Sequence, residues 1–483
     1  MAVITDFEPK RVFHYFNEIS KIPHGSYNTK AISDYLAGVA RDLGLEYIQE
    51  EVGNVIIKVP ASAGYEDAAP ILLQGHMDMV CTVEPGRDID MTKEPIKMII
   101  DGDWLTADGT TLGGDNGIAV AMMLALAESK EYAHPALECV FTVDEETGLE
   151  GAEAIDASKL AARKMINLDS EEEGIITVSC AGGVSALVHL PVVRESVHGM
   201  GYRVSVGGLQ GGHSGSDINK ELGNANMLMG RALYDLRKKA DFGLIKMAGG
   251  NVDNVICMAC DAEIVVPSAD KAAVEAAIAE VDAILKSEYK TSDPNVCVKV
   301  EALGEADYSA TDAASTTRVL TYLMTAPYGI QNMSMDIEGL VETSLNLGTL
   351  KLEETEMTGL YALRSSLKSR QDYLEDQLSA LACALGGHVD YSLYYPAWEF
   401  RKDSPLRDTC IKVYEKMYGS EPEVEAIHAG LECGLFAGKM GEDFDAVSIG
   451  PDMYGVHTSD EKLNIPSTQR VWEYLLEVLK ASK

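Results

Sequence analysis

The chain has 483 residues, 46% of them hydrophobic, which is ample for a buried core and suggests more than one domain. Its 40 basic and 76 acidic side chains leave a formal net charge of −36, and such a surface repels nucleic acid and anionic membrane. The N-terminus lacks a basic segment followed by an apolar run, and no apolar stretch is long enough to span a bilayer, so neither a signal peptide nor a membrane span is expected.

In chain order, Ala31, Ile32, Tyr35, Leu36, Val39 and Leu43 recur at helical spacing and mark an amphipathic first helix. Residues 54–59 and 71–74 read as short buried strands, the second running straight into Gly75-His76-Met77-Asp78. Residues 116–128, rich in Ala, Met and Leu, read as a buried helix directly after Asp115. Apolar strands at 137–143 and 164–168 end at Asp144-Glu145-Glu146 and at Asp169. Strands alternating with helices imply a mostly parallel α/β sheet, whose ligands gather beyond the carboxyl ends of its strands.

From about Gly183 the pattern changes. A strand at 202–206 is followed by a helix at 219–239, strands near 244–247 and 255–266, a helix at 271–289 and a strand at 295–302. A similar order then recurs: helix 312–325, strands 341–350 and 358–365, helix 367–385 and strand 388–393. The repeated α-β-β-α-β order predicts an inserted α+β domain of two related halves. Nine cysteines lie scattered along the chain, imply no disulfide framework and fit a reducing cytoplasm. Cys257-x-x-Cys260, the one close pair, could be a redox or metal pair, but without a second pair it reads rather as two small apolar strand residues. After about Ala397 the α/β pattern returns, with a helix at 404–418, a glycine-rich turn at 428–434, a strand at 445–449 and a last helix from Ser467. The expected organisation is a catalytic α/β domain at 1–182 and 398–483, interrupted by a lid domain at 183–397.

Five segments place an imidazole or a carboxylate where a strand or a glycine turn ends: Gly75-His76-Met77-Asp78, Gly113-Gly114-Asp115-Asn116-Gly117, Asp144-Glu145-Glu146-Thr147-Gly148, Asn167-Leu168-Asp169 and Gly455-Val456-His457. In His76-x-Asp78 both side chains leave an extended segment on one side, so Asp78 can fix the His76 tautomer. Asp115 can bridge two cations, or simply cap the following helix. Glu145 and Glu146 point in different directions, so one can bind metal while the other serves as a base; a solvated acidic turn would read the same. Asp169 reads equally as a cap and His457 as a loop histidine. Their joint occurrence gives the signal. It supplies two imidazoles and three carboxylates, an inventory suited to two Zn²⁺ ions sharing a bridging group.

These segments resemble the M20 family of co-catalytic zinc peptidases, and within it the aminoacyl-histidine dipeptidase branch. The resemblance extends over nearly the whole chain. It includes Ile22-Pro23-His24-Gly25-Ser26, Gly211-Gly212-His213-Ser214-Gly215, Ser344-Leu345-Asn346-Leu347-Gly348 and Ala429-Gly430-Leu431-Glu432-Cys433-Gly434. It implies that His76 and Asp169 hold one zinc, Glu146 and His457 the other, and that Asp115 bridges them. Glu145 would be the general acid/base, Asp78 would orient His76, and the Asp115–Asn116 peptide would be cis. For the insertion it implies that His213, Asn254 and Arg364, with the Gly430 backbone of the catalytic part, hold a dipeptide. Arg364 would take the C-terminal carboxylate by its fork, although by residue type alone Arg364 reads as a surface cation and Asn254 as a turn or sheet residue.

The expected activity is therefore cytoplasmic two-zinc hydrolysis of Xaa-His dipeptides such as β-alanyl-histidine, with Co²⁺ or Mn²⁺ as substitutes. A homodimer is compatible with the resemblance. The alternatives are a broad-specificity dipeptidase, an N-acyl amino acid deacylase and, in a different class, a non-catalytic metal-binding protein.

Overall fold

The computed structural model describes residues 3–483 and divides into two compact units. The first comprises the chain up to Cys180 with Trp398–Ala426 and Leu431–Lys483; the second is Ala181–Ala397 with Ile427–Gly430.

The first unit is built on one sheet. Its strands are β1 (Glu46–Gln49), β2 (Val55–Val59), β3 (Ile71–His76), β4 (Leu137–Thr142), β5 (Lys164–Asn167), β6 (Ile175–Cys180), β7 (Glu423–Ile427) and β8 (Asp445–Ser448). They lie in the order β1-β2-β4-β3-β5-β8-β6-β7. The run β4-β3-β5-β8 is parallel, while β1-β2, β2-β4 and β8-β6 pair antiparallel. Every residue of β3 and β4 is buried, as expected of central strands covered on both faces.

The helix Gly114–Glu128 packs on β3 and against Lys10–Ile19. It is buried all round from Asn116 to Ala127, which explains why its sequence shows no polar face. A Cβ on Gly75 would meet Asn116 Oδ1 at 2.5 Å and Ala119 Cβ at 2.8 Å. Only glycine therefore lets β3 and this helix approach so closely. Lys10–Ile19 precedes the helix expected as the first, Lys30–Leu43, and buries Val12, Phe13, Phe16 and Ile19 with the same periodicity. A small sheet of Met98–Asp101, Trp104–Ala107, Met453–Tyr454 and Lys462–Asn464 brackets the loop that carries His457.

The second unit is one antiparallel sheet with four long helices among its elements. The strand order is Cys297–Thr311, Arg194–Gly207, Cys260–Val266, Gly243–Gly249, Val341–Leu352, Glu356–Ser365, Gly182–Pro191 and His388–Tyr395. Read from its two edges inward, each side shows the same succession of edge, first, third and second strand. The second half takes its first strand, Gly182–Pro191, from ahead of the first half, so the halves interleave in sequence. Helices Ala225–Arg237 and Lys271–Glu288 belong to one half, Ala313–Thr325 and Lys368–Ala384 to the other. Their apolar sides share a core with the inward residues of the sheet.

Several local expectations change, among them the helix read over 219–239, which runs only from Ala225 to Arg237. The segment read as a strand over 255–266 forms a strand only at Cys260–Val266, with Val255 in an isolated bridge to His213. Gly430, expected in the catalytic part, groups with the second unit. There Ala181 N donates to Ile427 O at 3.1 Å, and Ser344 Oγ lies 2.7 Å from His428 Nε2. Cys257 and Cys260 are buried free thiols. Among the described residues no helix is long and apolar enough to cross a membrane.

Candidate metal centre

The parallel strands deliver their terminal residues to one rim. His76 ends β3, Glu145 and Glu146 follow β4, and Asp169 follows β5. Asp115 arrives from the loop ahead of the buried helix. Asp115 (φ −84°, ψ 108°) and Asn116 (φ −113°, ψ 28°) leave the helical region, and the bond between them is cis. His457 arrives from the bracketed loop in left-handed backbone (φ 66°), a conformation that non-glycine residues rarely adopt and that often marks a functional position.

These side chains converge. His76 Nε2 lies 3.1 Å from Asp115 Oδ1 and 3.5 Å from Asp169 Oδ1. His457 Nε2 lies 3.1 Å from Asp115 Oδ2 and 3.0 Å from Glu146 Oε2. Asp115 thus offers one oxygen to each histidine. Three groups have ligand atoms mutually within 4.8 Å: His76–Asp115–Asp169, Asp115–Glu146–His457 and His76–Glu145–Glu146. Behind them, His76 Nδ1 faces the Asp78 carbonyl at 3.0 Å and its Oδ1 at 3.3 Å. Asp78 also accepts from Glu145 N at 3.0 Å, Glu146 N at 3.4 Å and Ser26 Oγ at 2.8 Å. One buried carboxylate therefore fixes the His76 ring and the turn bearing both glutamates.

The electrostatics point to a cation. Each outward imidazole nitrogen faces two carboxylates, and a single N–H can serve only one acceptor well. A divalent cation serves both, and Glu146 Oε1 is buried with no hydrogen-bond partner among the described residues. The donor set therefore fits a metal pair. Without metal, protons fill the deficit. Hydrogen bonds to Asp115 and Glu146 push His457 up to about 10. Burial opposes charge on His76, but Asp169, Asp115 and Asp78 outweigh it and hold that ring well above its ordinary value. Burial pushes Asp169 up to about 6 against the pull of His76. Burial would also raise Asp115, yet the two histidines hold it well below the carboxylate range. Glu145 lies well above its ordinary value through burial, with His76 opposing and Asp169, Glu432 and Glu146 reinforcing.

The second unit gathers its own polar cluster. The Arg364 guanidinium is buried; its Nη1 donates to Tyr395 Oη at 2.8 Å and its Nε to Ser214 Oγ at 3.4 Å. Its Nη2 lies 3.5 Å from His213 Nε2. His213 Nδ1 accepts from Gly215 N and Ser216 N, both at 3.2 Å. That leaves the neutral ring's proton on Nε2, so Arg364 and His213 present two donors side by side. Burial and Arg364 lower the His213 pKa, and the same influences with His213 hold His428 down to about 3. The Asn254 carbonyl accepts from Ser214 N at 2.8 Å. The Tyr395 ring packs so closely on Gly430 that a Cβ there would meet Cε2 at 2.8 Å.

A family model described as peptidase family M20/M25/M40 matches residues 72–481. The chain belongs to that family. It is 36% identical over 483 residues to the cytosol non-specific dipeptidase of Escherichia coli (strain K12), with 99% of each covered. A solved structure of aminoacylhistidine dipeptidase from Vibrio alginolyticus matches with a TM-score of 0.93 at 34% identity, covering 99% of this chain and 98% of that one. Aminopeptidase PepT from Bacillus cereus matches at 0.56 and 17% identity over 99% of both chains, a likeness of fold alone.

Several residues of the two units carry no role in the sequence reading. Glu461 is buried and clamps the Asp115 loop: its Oε2 accepts from Leu112 N at 2.8 Å and Gly113 N at 3.2 Å, and its Oε1 from Gly114 N at 2.7 Å. A lone glutamate after His457 gives no signal of this. Glu432 is buried, accepts from Thr142 Oγ1 at 2.9 Å and from Gln74 Nε2, and keeps Oε1 without a partner among the described residues. Burial, opposed by His76, lifts it to about 8. Ser26, Ser344 and Glu432 do lie in segments that resemble the family; Tyr395 had no such signal.

Proposed function

We propose that this chain is a two-zinc dipeptidase whose substrates include Xaa-His dipeptides such as β-alanyl-histidine, working in the cytoplasm. The observation that carries this reading is the pair of ligand groups sharing Asp115, with Glu145 alongside. The names of the relatives support it: a non-specific dipeptidase in one case, an aminoacylhistidine dipeptidase in the other. His76 and Asp169 would hold one ion, Glu146 and His457 the other, with Asp115 shared between them. Imidazole with carboxylate suits zinc, and Co²⁺ or Mn²⁺ would be accepted because such donors discriminate poorly.

When bound, the metal pair would supply Lewis acidity and lower the pKa of water at the site towards ~7. The chain supplies the rest. Glu145 is not needed as a ligand beside Glu146, so its carboxylate is left free to act as the base. It takes the proton of the attacking water and passes it to the leaving amine. Asp78 keeps the His76 ring in place, as a carboxylate partner does for a ligating histidine. The side-by-side donors of Arg364 and His213 call for an anionic acceptor. Arg364 takes the substrate's terminal carboxylate, and His213 steadies that carboxylate or the developing oxyanion. Asn254 and the Gly430 backbone complete the set.

Metal-reconstituted protein assayed on β-alanyl-histidine, Leu-Gly and N-acetyl amino acids tests the reading. Dipeptide hydrolysis should dominate, with about two zinc per chain by elemental analysis. Full activity with one tight ion would refute the bridged pair, and preference for N-acetyl amino acids would refute the dipeptidase assignment.

A further inference from the structure

A second cluster of ligand-type side chains lies on the sheet of the second unit, in the Gly182–Pro191, Glu356–Ser365 and His388–Tyr395 strands. His189 and His388 are direct cross-strand partners. Their rings stack with centroids 4.6 Å apart and planes 4° from parallel; since a ligating imidazole holds its ion in the ring plane, the exposed His388 ring must turn out of this stack for both Nε2 atoms to meet one ion. Asp390, two residues along from His388 and therefore on the same face, brings Oδ2 to 3.5 Å from His189 Nε2 and 3.9 Å from His388 Nε2. On the other side of His189, Glu356 Oε2 lies 3.0 Å from Nδ1.

The hydrogen-bond pattern makes this more than a surface coincidence. Glu356 accepts from His189 Nδ1, so in the neutral ring Nε2 is the bare nitrogen. That Nε2 is buried, has no hydrogen-bond partner among the described residues and faces a carboxylate oxygen. In the neutral ring a lone pair 3.5 Å from an anion is repulsive, and a cation between the two relieves the repulsion. The second imidazole and Asp390 complete a set of three ligand atoms mutually within 4.8 Å. A carboxylate behind a ligating histidine is the usual support of a protein metal ligand. The outer members are open to solvent: the His388 and Asp390 side chains are 64% and 70% exposed, so an ion can enter.

We infer that His189, His388 and Asp390 form a further divalent-metal site, separate in sequence and chemistry from the dinuclear centre and backed by Glu356. Two imidazoles and one carboxylate select a borderline transition ion such as Zn²⁺, Ni²⁺ or Cu²⁺ over Mg²⁺ or Ca²⁺. The ion links Gly182–Pro191 to His388–Tyr395, the edge strand of the sheet, whose residues are mostly exposed. Its role is structural: it pins an edge strand that has little burial of its own.

The test uses full-length, untagged protein equilibrated with excess zinc, comparing wild type with His388→Ala and Glu356→Gln by elemental analysis after equilibrium dialysis. Wild type should hold one zinc more than His388→Ala. Glu356→Gln should bind that extra ion with affinity lower by about 10–100-fold. Amide exchange over residues 388–395 should slow on zinc addition in wild type and not in His388→Ala. Because the difference between variants is read, the result stands whatever the stoichiometry of the dinuclear centre. Equal zinc in wild type and His388→Ala would overturn the site. So would NMR evidence that His189 carries protons on both nitrogens at neutral pH in excess zinc, since a proton would then fill the gap.

Discussion

Glu461 offers a quantitative test of how the centre is held. Its carboxylate accepts three backbone N–H groups at 2.7–3.2 Å from Leu112, Gly113 and Gly114, immediately ahead of Asp115. Four residues before it on its own loop stands His457. One side chain therefore ties together the two loops that meet at Asp115 and His457. A hydrogen bond to a charged group contributes roughly 1.5–3 kcal/mol. Glu461→Gln keeps one oxygen but turns an NH₂ towards amide donors on the other side, so it should lose roughly 1.5–3 kcal/mol. Glu461→Ala orphans three buried N–H groups and should lose roughly 3 kcal/mol or more.

That loss divides between two measurable quantities. If the Asp115 loop stays ordered in the metal-free protein, the loss appears as lowered stability of that form. If the loop loosens, metal binding must reorder it, and the loss appears as weaker metal affinity, about tenfold for each 1.4 kcal/mol. Denaturant unfolding of the metal-free protein and competition against a chelator read the two parts, which should together account for the expected total. Amide exchange at Leu112, Gly113 and Gly114 should rise in both variants. Unchanged metal affinity, stability and exchange in Glu461→Gln would refute the clamp.

Other expectations follow from the same geometry. Glu145→Ala should lower kcat by roughly 10²–10⁴-fold with metal content intact, whereas Asp115→Ala should lose metal and activity together; zinc loss with full activity per zinc in Glu145→Ala would reverse the roles of Glu145 and Glu146. Arg364→Ala should cut kcat/KM on free dipeptides by an amount equivalent to roughly 1.5–3 kcal/mol and leave amidated dipeptides little affected; equal cleavage of free and amidated substrates by the native enzyme would dismiss the carboxylate clamp. With His457 held up to about 10 and His76 well above its ordinary value, loading the metal pair at neutral pH should release about two protons from the rings, measurable by calorimetry in buffers of different ionisation enthalpy. Glu432, raised from 4.5 to about 8, stabilises the metal-free fold fully below pH 4.5 and loses that contribution as pH climbs through about 8. The permanently neutral Glu432→Gln should therefore flatten the fall in Tm over that window, and a parallel decline in both proteins would argue against it.

The fold was legible where burial leaves a periodic trace. The apolar runs of β3, β4 and β5 are central parallel strands, and their continuous hydrophobicity follows from cover on both faces. The helix Gly114–Glu128 was legible for the same reason. Short or half-exposed elements were not: β1 has the burial of an edge strand, and Met98–Asp101 alternates between partial and full exposure. Gly182–Pro191 escaped because its role lies in pairing with Glu356–Ser365 and His388–Tyr395, strands nearly two hundred residues away. Propensity carries no record of such a partner.

The site divides along the same physical line. A metal ligand must be His, Asp or Glu at a strand end or a tight loop, so its chemistry restricts the residue type and its position together. Those two restrictions, in five segments together, singled out His76, Asp115, Glu146, Asp169 and His457 as candidates, and the family resemblance supplied their proposed roles. A supporting residue is restricted only by what it touches. Glu461 is needed because three amides of a distant loop lack acceptors, and Tyr395 because Arg364 needs an acceptor at Nη1. Neither need leaves a mark in the local sequence. Asp78 is the instructive intermediate. Its spacing from His76 revealed one of its tasks, holding the ring. Its second task, accepting the amides of Glu145 and Glu146, depends on β4 lying beside β3. Asp78 therefore couples the orientation of a proposed ligand to that of the proposed base, and changing it should disturb both at once.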